Sequence, residues 1–244
     1  RLIFHVPVDE PKSARDYQTT RHWSAAIRPV DAKVRLAVTE QPKPENPAWG
    51  SLVGHLNAWI THGNYVYLDP KSILERRRAG DHVIWYISCD QLYPQPNVFI
   101  DREAADMRMI SWLTARYKLD GFLYWTATYW REVRDPWMDA TGWKSSNCNS
   151  PASGEGSLIY PGHLVREYTG QDNVEGPVGS LRLALLRDGF EELELLQVLR
   201  ELDGIEEADK IVGSICRDLR DFSRDPNAID KARDRVIQRI LKRK

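Results

Sequence analysis

Leu2-Ile3-Phe4-His5-Val6-Pro7-Val8-Asp9-Glu10-Pro11 is the stretch on which the fold turns. Seven residues, apolar apart from His5, read as a strand buried on both faces, because a strand wet on one face would alternate apolar with polar. Two carboxylates and a proline end it, and Pro11 both stops strand pairing and suits the start of a helix. A helix is predicted over about 13–28. The same rhythm recurs downstream, with strands predicted at 34–38, 55–60, 83–88 and 122–127. Helical segments at 71–79 and 101–118 fall between them, and Gly121 supplies the turn back into the last strand. Strands alternating with helices imply βαβ units and a parallel sheet.

The connections are unequal. Those leaving the strands (39–54, 61–70, 89–100 and 131–178) are long and rich in Pro, Trp and Asn, whereas those entering strands are short. In a β/α barrel the long loops at the C-terminal strand ends build the active site. The longest one carries Trp137, Trp143, Asn147, Asn149 and Ser153-Gly154-Glu155-Gly156-Ser157, a functional rim. Five strands make either an open α/β sheet or part of an eight-stranded barrel. A chain that enters a strand directly after Arg1 reads as a piece of a longer protein, so its lack of a leader bears on nothing and its compartment stays open.

Beyond residue 180 three helices are predicted from apolar spacing, with Asp225-Pro226 as cap and first turn of the last. Residues 1–203 are therefore assigned to the barrel portion and 204–244 to a C-terminal helical appendage.

A formal net charge of −1 over 244 residues argues against a nucleic-acid partner, which would require a basic excess. No apolar run approaches the roughly 20 residues of a membrane span. Cys89, Cys148 and Cys216 lack metal-ligand spacing and imply free thiols or at most one disulfide. No metal or cofactor is called for, and HExxH, Walker, GxGxxG and GxSxG motifs are absent. Nine Trp and ten Tyr against five Phe favour flat apolar faces with hydrogen-bonding edges, which suit sugar rings.

Asp9 and Glu10 are the candidate catalytic pair. Adjacent carboxylates repel, which favours a proton on one of them; the bland alternative is a solvated strand end with an acidic helix cap. Around other predicted strand ends stand Asn57, Trp59 and His62, then Trp85 and Tyr86, then Trp125, Tyr129 and Trp130. Any single aromatic here is more often core than ligand contact, but their recurrence at successive strand ends makes them candidate substrate-binding residues. Glu40, ending the second strand, is the candidate if a covalent carboxylate nucleophile operates instead.

Five stretches in order carry a resemblance: His5–Pro11, Glu75–Tyr86, Asp120–Trp125, Gly156–Gly162 and Ser180–Gly189. Together they resemble the catalytic region of glycoside hydrolase family 123, from about residue 2 to 200. The resemblance implies a (β/α)8 barrel in which residues 2–8 form strand four and 122–127 strand eight. It also implies a retaining β-N-acetylgalactosaminidase whose substrate's acetamido group attacks the anomeric carbon. Glu10 would be the acid/base and Asp9 the group that holds the acetamido, with an oligosaccharide or glycoconjugate as substrate. The chain departs from the family pattern at Thr128, where Asn is expected, and at Glu155-Gly156, where Asp-Gly is expected. The competing reading is a barrel remnant that binds carbohydrate without cleaving it.

Overall fold

The computed structural model describes residues 3–130, 133, 135–140, 152–170 and 174–243. Trp143, Asn147, Cys148 and Asn149 lie outside them. The chain divides into two units, Arg1–Tyr86 with Tyr117–Leu123, and Ile87–Arg116 with Tyr124–Lys244.

The sheet is an α/β partial barrel of five parallel strands in chain order: β1 (Ile3–His5), β2 (Arg35–Val38), β3 (Ala58–His62), β4 (His82–Ile87) and β5 (Gly121–Tyr124). Each lies at or near its predicted position, with edges moved for local reasons. β1 stops at His5 because Pro7 has no N–H to donate and Val8 N bonds back to Val6 O at 2.7 Å. β3 starts late because His55 and Leu56 both donate to Leu52 O, closing a turn where strand was expected. Helix α1 (Ala14–Ile27) is capped by Ser13, whose side chain accepts from Asp16 N. The acidic-cap reading of Asp9 therefore does not hold. A short α2 (Gly63–Leu68) occupies part of the predicted 61–70 loop, and α3 (Pro70–Arg78) follows under an Asp69 cap.

The register decides which way each side chain points. Ala58 pairs with His82, Ile60 with Ile84 and His62 with Tyr86, while Trp59 pairs with Val83 and Thr61 with Trp85. Paired residues in a parallel sheet share a face. Ala37, Ala58, Ile60 and Tyr86, with Ile84 and Leu123, form one core cluster. Trp59 and Trp85 belong to the opposite face, both at most 1% exposed, with Trp85 edge-on to Phe122 at 5.4 Å. Their assignment as substrate contacts is corrected on that ground. Trp59 Nε1 donates to Asp81 Oδ2 at 2.9 Å, toward the N-terminal end of β4. Asn57 is corrected too: it precedes β3, accepts from Leu36 N at 2.8 Å, and so continues the sheet's hydrogen bonding where the strand has not begun.

In the second unit, α4 (Ala104–Arg116) packs against α6 (Leu181–Asp203), which also meets α7 (Ile205–Gly213) and α8 (Pro226–Leu241). α8 begins as predicted, with Asp225 accepting from Asn227 N and Pro226 in the first turn. The region expected to be one long loop contains β6 (Ile159–Pro161) and β7 (Pro177–Gly179), an antiparallel pair, with α5 (Val165–Thr169) between them. Buried Glu192 in this unit is paired. Glu192 accepts from Arg108 and, at 2.6 Å, from Trp112 Nε1. Of the cysteines, Cys216 is a buried free thiol and Cys89 is disulfide-bonded. Among the described residues no helix is long and apolar enough to cross a membrane.

Gly189 marks a close approach of α6 to α4. A Cβ there would lie 2.8 Å from Ser111 Oγ and 2.9 Å from Arg108 O. Alanine normally improves a helix by about 1 kcal/mol over glycine, but here backbone must move to admit it. Gly189→Ala is expected to destabilise by a net ~1–3 kcal/mol in urea unfolding. An alanine variant as stable as the parent would show that the helices are not in contact at this point.

Candidate active site

The two candidate carboxylates leave the C-terminal edge of the sheet on the turn that follows β1. Val6 N still pairs with Ala37 O at 3.0 Å, after which the chain bends away. Glu10 has φ +44°, the left-handed region, and is one of only two described non-glycine residues with positive φ. That conformation costs a side-chain-bearing residue of order 1–3 kcal/mol and persists only when its surroundings impose it. One imposing contact is the Tyr86 hydroxyl, which donates to Glu10 Oε1 at 2.7 Å. On the other side Lys12 Nζ lies 3.3 Å from Glu10 Oε2, an exposed pair of small energetic weight. The Tyr86 ring meets the His62 ring edge-on at 4.9 Å. His62 is buried and accepts from Asn64 N through Nδ1, capping α2. His62, Tyr86 and Glu10 thus form one contiguous group.

Asp9 belongs to a second chain of contacts. The Thr39 hydroxyl donates to Asp9 Oδ1. Its oxygen is 2.9 Å from His5 Nε2, and His5 Nδ1 is 2.7 Å from Val6 O. A carbonyl only accepts, so Nδ1 carries a hydrogen. His5, Thr39 and Asp9 thus form a second contiguous row. The sequence singled out Asp9 but missed Thr39 and His5 as its partners, since nothing in the spacing of 5, 9 and 39 announces a contact across two strands.

Glu40 is 7% exposed, and its Oε1 accepts from its neighbour's backbone, Gln41 N, at 3.0 Å. Burial pushes its carboxyl up to about 7, with Glu45 and Glu10 adding to the effect and Gln41 N–H and Lys12 opposing it. A covalent nucleophile must be ionised and open to the substrate, so Glu40 is poorly suited to that role.

Trp125, Tyr129 and Trp130 lie in the second unit and form a group of their own. The rings of Trp125 and Tyr129 are 4.9 Å apart, and Trp125 is 39% exposed. Trp130 Nε1 donates to Ile159 O at 3.1 Å. Beneath them runs Ser153-Gly154-Glu155-Gly156-Ser157. Gly156, at φ +73°, passes so close that a Cβ would sit 2.8 Å from both Trp125 and Tyr129. Glu155 is buried, accepts from Trp125 Nε1 and from the Tyr124 hydroxyl, and has its carboxyl pushed up to about 7 by burial against those donors and Arg182. Arg182 is itself buried and donates to the carbonyls of Val98, Gly154 and Ser157. The stretch read as a rim is in fact a packed support for aromatic rings. Among the described residues no group of three or more His, Cys, Asp or Glu is arranged to hold a metal ion.

Comparison with known proteins adds three findings. The family model "Glycoside hydrolase 123, catalytic domain" matches residues 2–199. Among solved structures, the fold resembles that in "The details of glycolipid glycan hydrolysis by the structural analysis of a family 123 glycoside hydrolase from Clostridium perfringens", with TM-score 0.58 at 13% identity. The similarity covers 98% of this chain and 39% of that one, so this chain spans about two fifths of its length. No curated protein matches.

The raised Glu40 carboxyl predicts a pH effect of definite sign. Its ordinary value is 4.5 and its folded value about 7, so between these the folded state binds more protons than the unfolded one. Stability attributable to this group is therefore lost as pH rises from about 4.5 to about 7. Glu40→Gln keeps an oxygen for Gln41 N but removes the charge. Its urea midpoint should exceed that of the parent at pH 8 and converge with it near pH 4.5. Parallel curves across that range would show that Glu40 is not buried in the working protein.

Proposed function

The chain belongs to glycoside hydrolase family 123, and from that premise we propose that it is a retaining glycosidase of 2-acetamido sugars, of the β-N-acetylgalactosaminidase type. The observation that carries this reading is the pair Asp9 and Glu10, adjacent in sequence but held by separate partners, Thr39 for one and Tyr86 for the other. Two carboxyls with separate supports can take separate roles.

In the first step the acetamido oxygen of the substrate attacks the anomeric carbon. The bond to the leaving oxygen breaks, and Glu10 gives that oxygen its proton. Asp9 accepts from the acetamido N–H and opposes the positive charge that develops on the oxazolinium ring. In the second step Glu10 takes a proton from water as the water adds to the anomeric carbon and the ring reopens. No protein nucleophile is required, which sets such enzymes apart from the usual two-carboxylate scheme. Thr39, between Asp9 and His5, holds the Asp9 carboxyl in place for that contact. His62 and Tyr86 border Glu10 on the sheet's inner face and are assigned to substrate contact. In its own unit the exposed face of Trp125, braced by Tyr129 and with Trp130 beside it in sequence, offers a platform for the apolar side of a sugar ring. The substrate is an oligosaccharide or glycoconjugate.

Glu10→Gln is expected to slow turnover by roughly 10²–10⁴, the usual contribution of general acid–base catalysis, and by less for leaving groups that need little protonation. Asp9→Asn should slow good and poor leaving groups alike, because it weakens the cyclisation that both share. The measurement is kcat/KM on aryl N-acetylgalactosaminides of graded leaving-group pKa, beside the matching plain galactosides. Equal turnover of the plain galactoside, with azide rescue of Asp9→Asn as a glycosyl azide, would make Asp9 a covalent nucleophile. Saccharide binding with no turnover of either series would make the chain a carbohydrate-binding barrel instead.

A further inference from the structure

Glu155 and Glu192 are both buried carboxyls of the second unit, and each accepts from an indole N–H, of Trp125 and Trp112 respectively. Their other partners differ. Glu192 takes Arg108 on Oε1 and Trp112 on Oε2, so a cation faces it and both oxygens are engaged. Glu155 receives its two donors, Trp125 Nε1 and the Tyr124 hydroxyl, on Oε1 alone. Its Oε2 has no hydrogen-bond partner among the described residues. Arg182 is the cation of this neighbourhood, but its terminal hydrogens are spent. Nη1 donates to Val98 O at 2.7 Å and Gly154 O at 2.9 Å, and Nη2 donates to Ser157 O and, at 3.1 Å, to the Tyr160 hydroxyl oxygen. A carboxylate oxygen without water, cation or donor is costly to bury, and a proton on it removes the charge. Burial pushes the Glu155 carboxyl up to about 7; Trp125, Tyr124 and Arg182 oppose that rise, and Asp90 in the loop after β4 adds to it.

The same contacts fix a ring. An indole has one N–H and it points one way, so the bond to Glu155 Oε1 sets the direction of the Trp125 edge. Gly156, whose Cβ would lie 2.8 Å from both Trp125 and Tyr129, and the Tyr129 ring itself limit the tilt that remains. Tyr124 is locked beside them, since its hydroxyl accepts from Gly156 N at 2.8 Å while donating to Glu155. We propose that Glu155 is a positioning residue: a neutral carboxylic acid, with its proton on Oε2, that holds the Trp125 indole at the tilt a sugar ring requires. The use of that tilt rests on the reading of Trp125 as a sugar platform; the neutral acid and the held ring do not.

The test compares the parent with Glu155→Gln, which keeps a neutral acceptor oxygen, and with Glu155→Met, which keeps the length but carries no oxygen. At pH 6, below the value of about 7, the infrared difference between parent and Glu155→Gln should contain the C=O stretch of a protonated carboxyl. Its absence would overturn the proposal. The near-ultraviolet circular dichroism of Trp125, read as the change that Trp125→Phe produces in each background, should persist in Glu155→Gln and collapse in Glu155→Met. Loss of one neutral hydrogen bond is worth about five- to tenfold. KM for an aryl β-N-acetylgalactosaminide should rise by that factor in Glu155→Met, with a smaller change in kcat, and recover in Glu155→Gln. Equal losses in both variants, or a fall in kcat alone, would refute the positioning role. If Glu155→Met does not fold, Glu155→Asp, its carboxyl one bond shorter, takes its place under the same criteria. Should the parent cleave nothing, the glycosidase reading falls and the two spectra decide alone: both as described uphold the held ring, and either one missing dismisses it.

Discussion

In a parallel sheet, residues paired across neighbouring strands point to the same side, and one pairing here governs nearly everything said of the site. His62 of β3 lies beside Tyr86 of β4. That register turns both rings to the inner face, where they meet edge-on. It delivers the Tyr86 hydroxyl to Glu10, which accepts it from a left-handed backbone. A slip of one residue would exchange the faces. Trp85 would then stand where Tyr86 does, with an indole N–H at a different height, and Glu10 would lose the partner that offsets its conformational cost.

The same register explains why the two largest side chains of the sheet are buried. Trp59 and Trp85 each alternate with a residue of the inner face, so both are sealed on the other side. Their task is volume and, for Trp59, one hydrogen bond to Asp81. Burial likewise sets the carboxyls of this unit apart. Glu40, withdrawn from water, is pushed up to about 7, while Asp9 and Glu10 stand at the edge with polar partners. Glu40 sits at a strand end just as Asp9 and Glu10 follow one, and only its surroundings distinguish it.

The second unit solves a different problem, that of holding polar residues inside a helical pack. Glu192 between Arg108 and Trp112, and Asp106 against Arg224, keep buried charge compensated. Arg182 ties three carbonyls of separate segments to the start of α6 and braces the glycine-bounded Glu155. Leaving any one of these partners out would strand a charge away from water, a loss far larger than a surface ion pair represents. The aromatic platform above Glu155 inherits its rigidity from this arrangement.

Period and punctuation in the chain were enough to place the five strands, their parallel order, α1, α3, α4 and the three C-terminal helices, because each rests on local spacing: short apolar runs, helical repeats, and a cap such as Asp225. The Asp9-Glu10 pair was legible for the same reason, as a break in an apolar run. Local spacing says that a residue lies on a strand but not which face it takes, and so Trp59, Trp85 and Asn57 were misread. Nor does it announce contacts between residues far apart in the chain. Thr39 at Asp9, Tyr86 at Glu10 and Glu155 under Trp125 are joined across 30, 76 and 30 residues respectively. The amino-acid sequence by itself determined the elements and the kinds of groups available. Tertiary structure alone decided which groups meet, because register and burial are set by all strands packing at once rather than by any one of them.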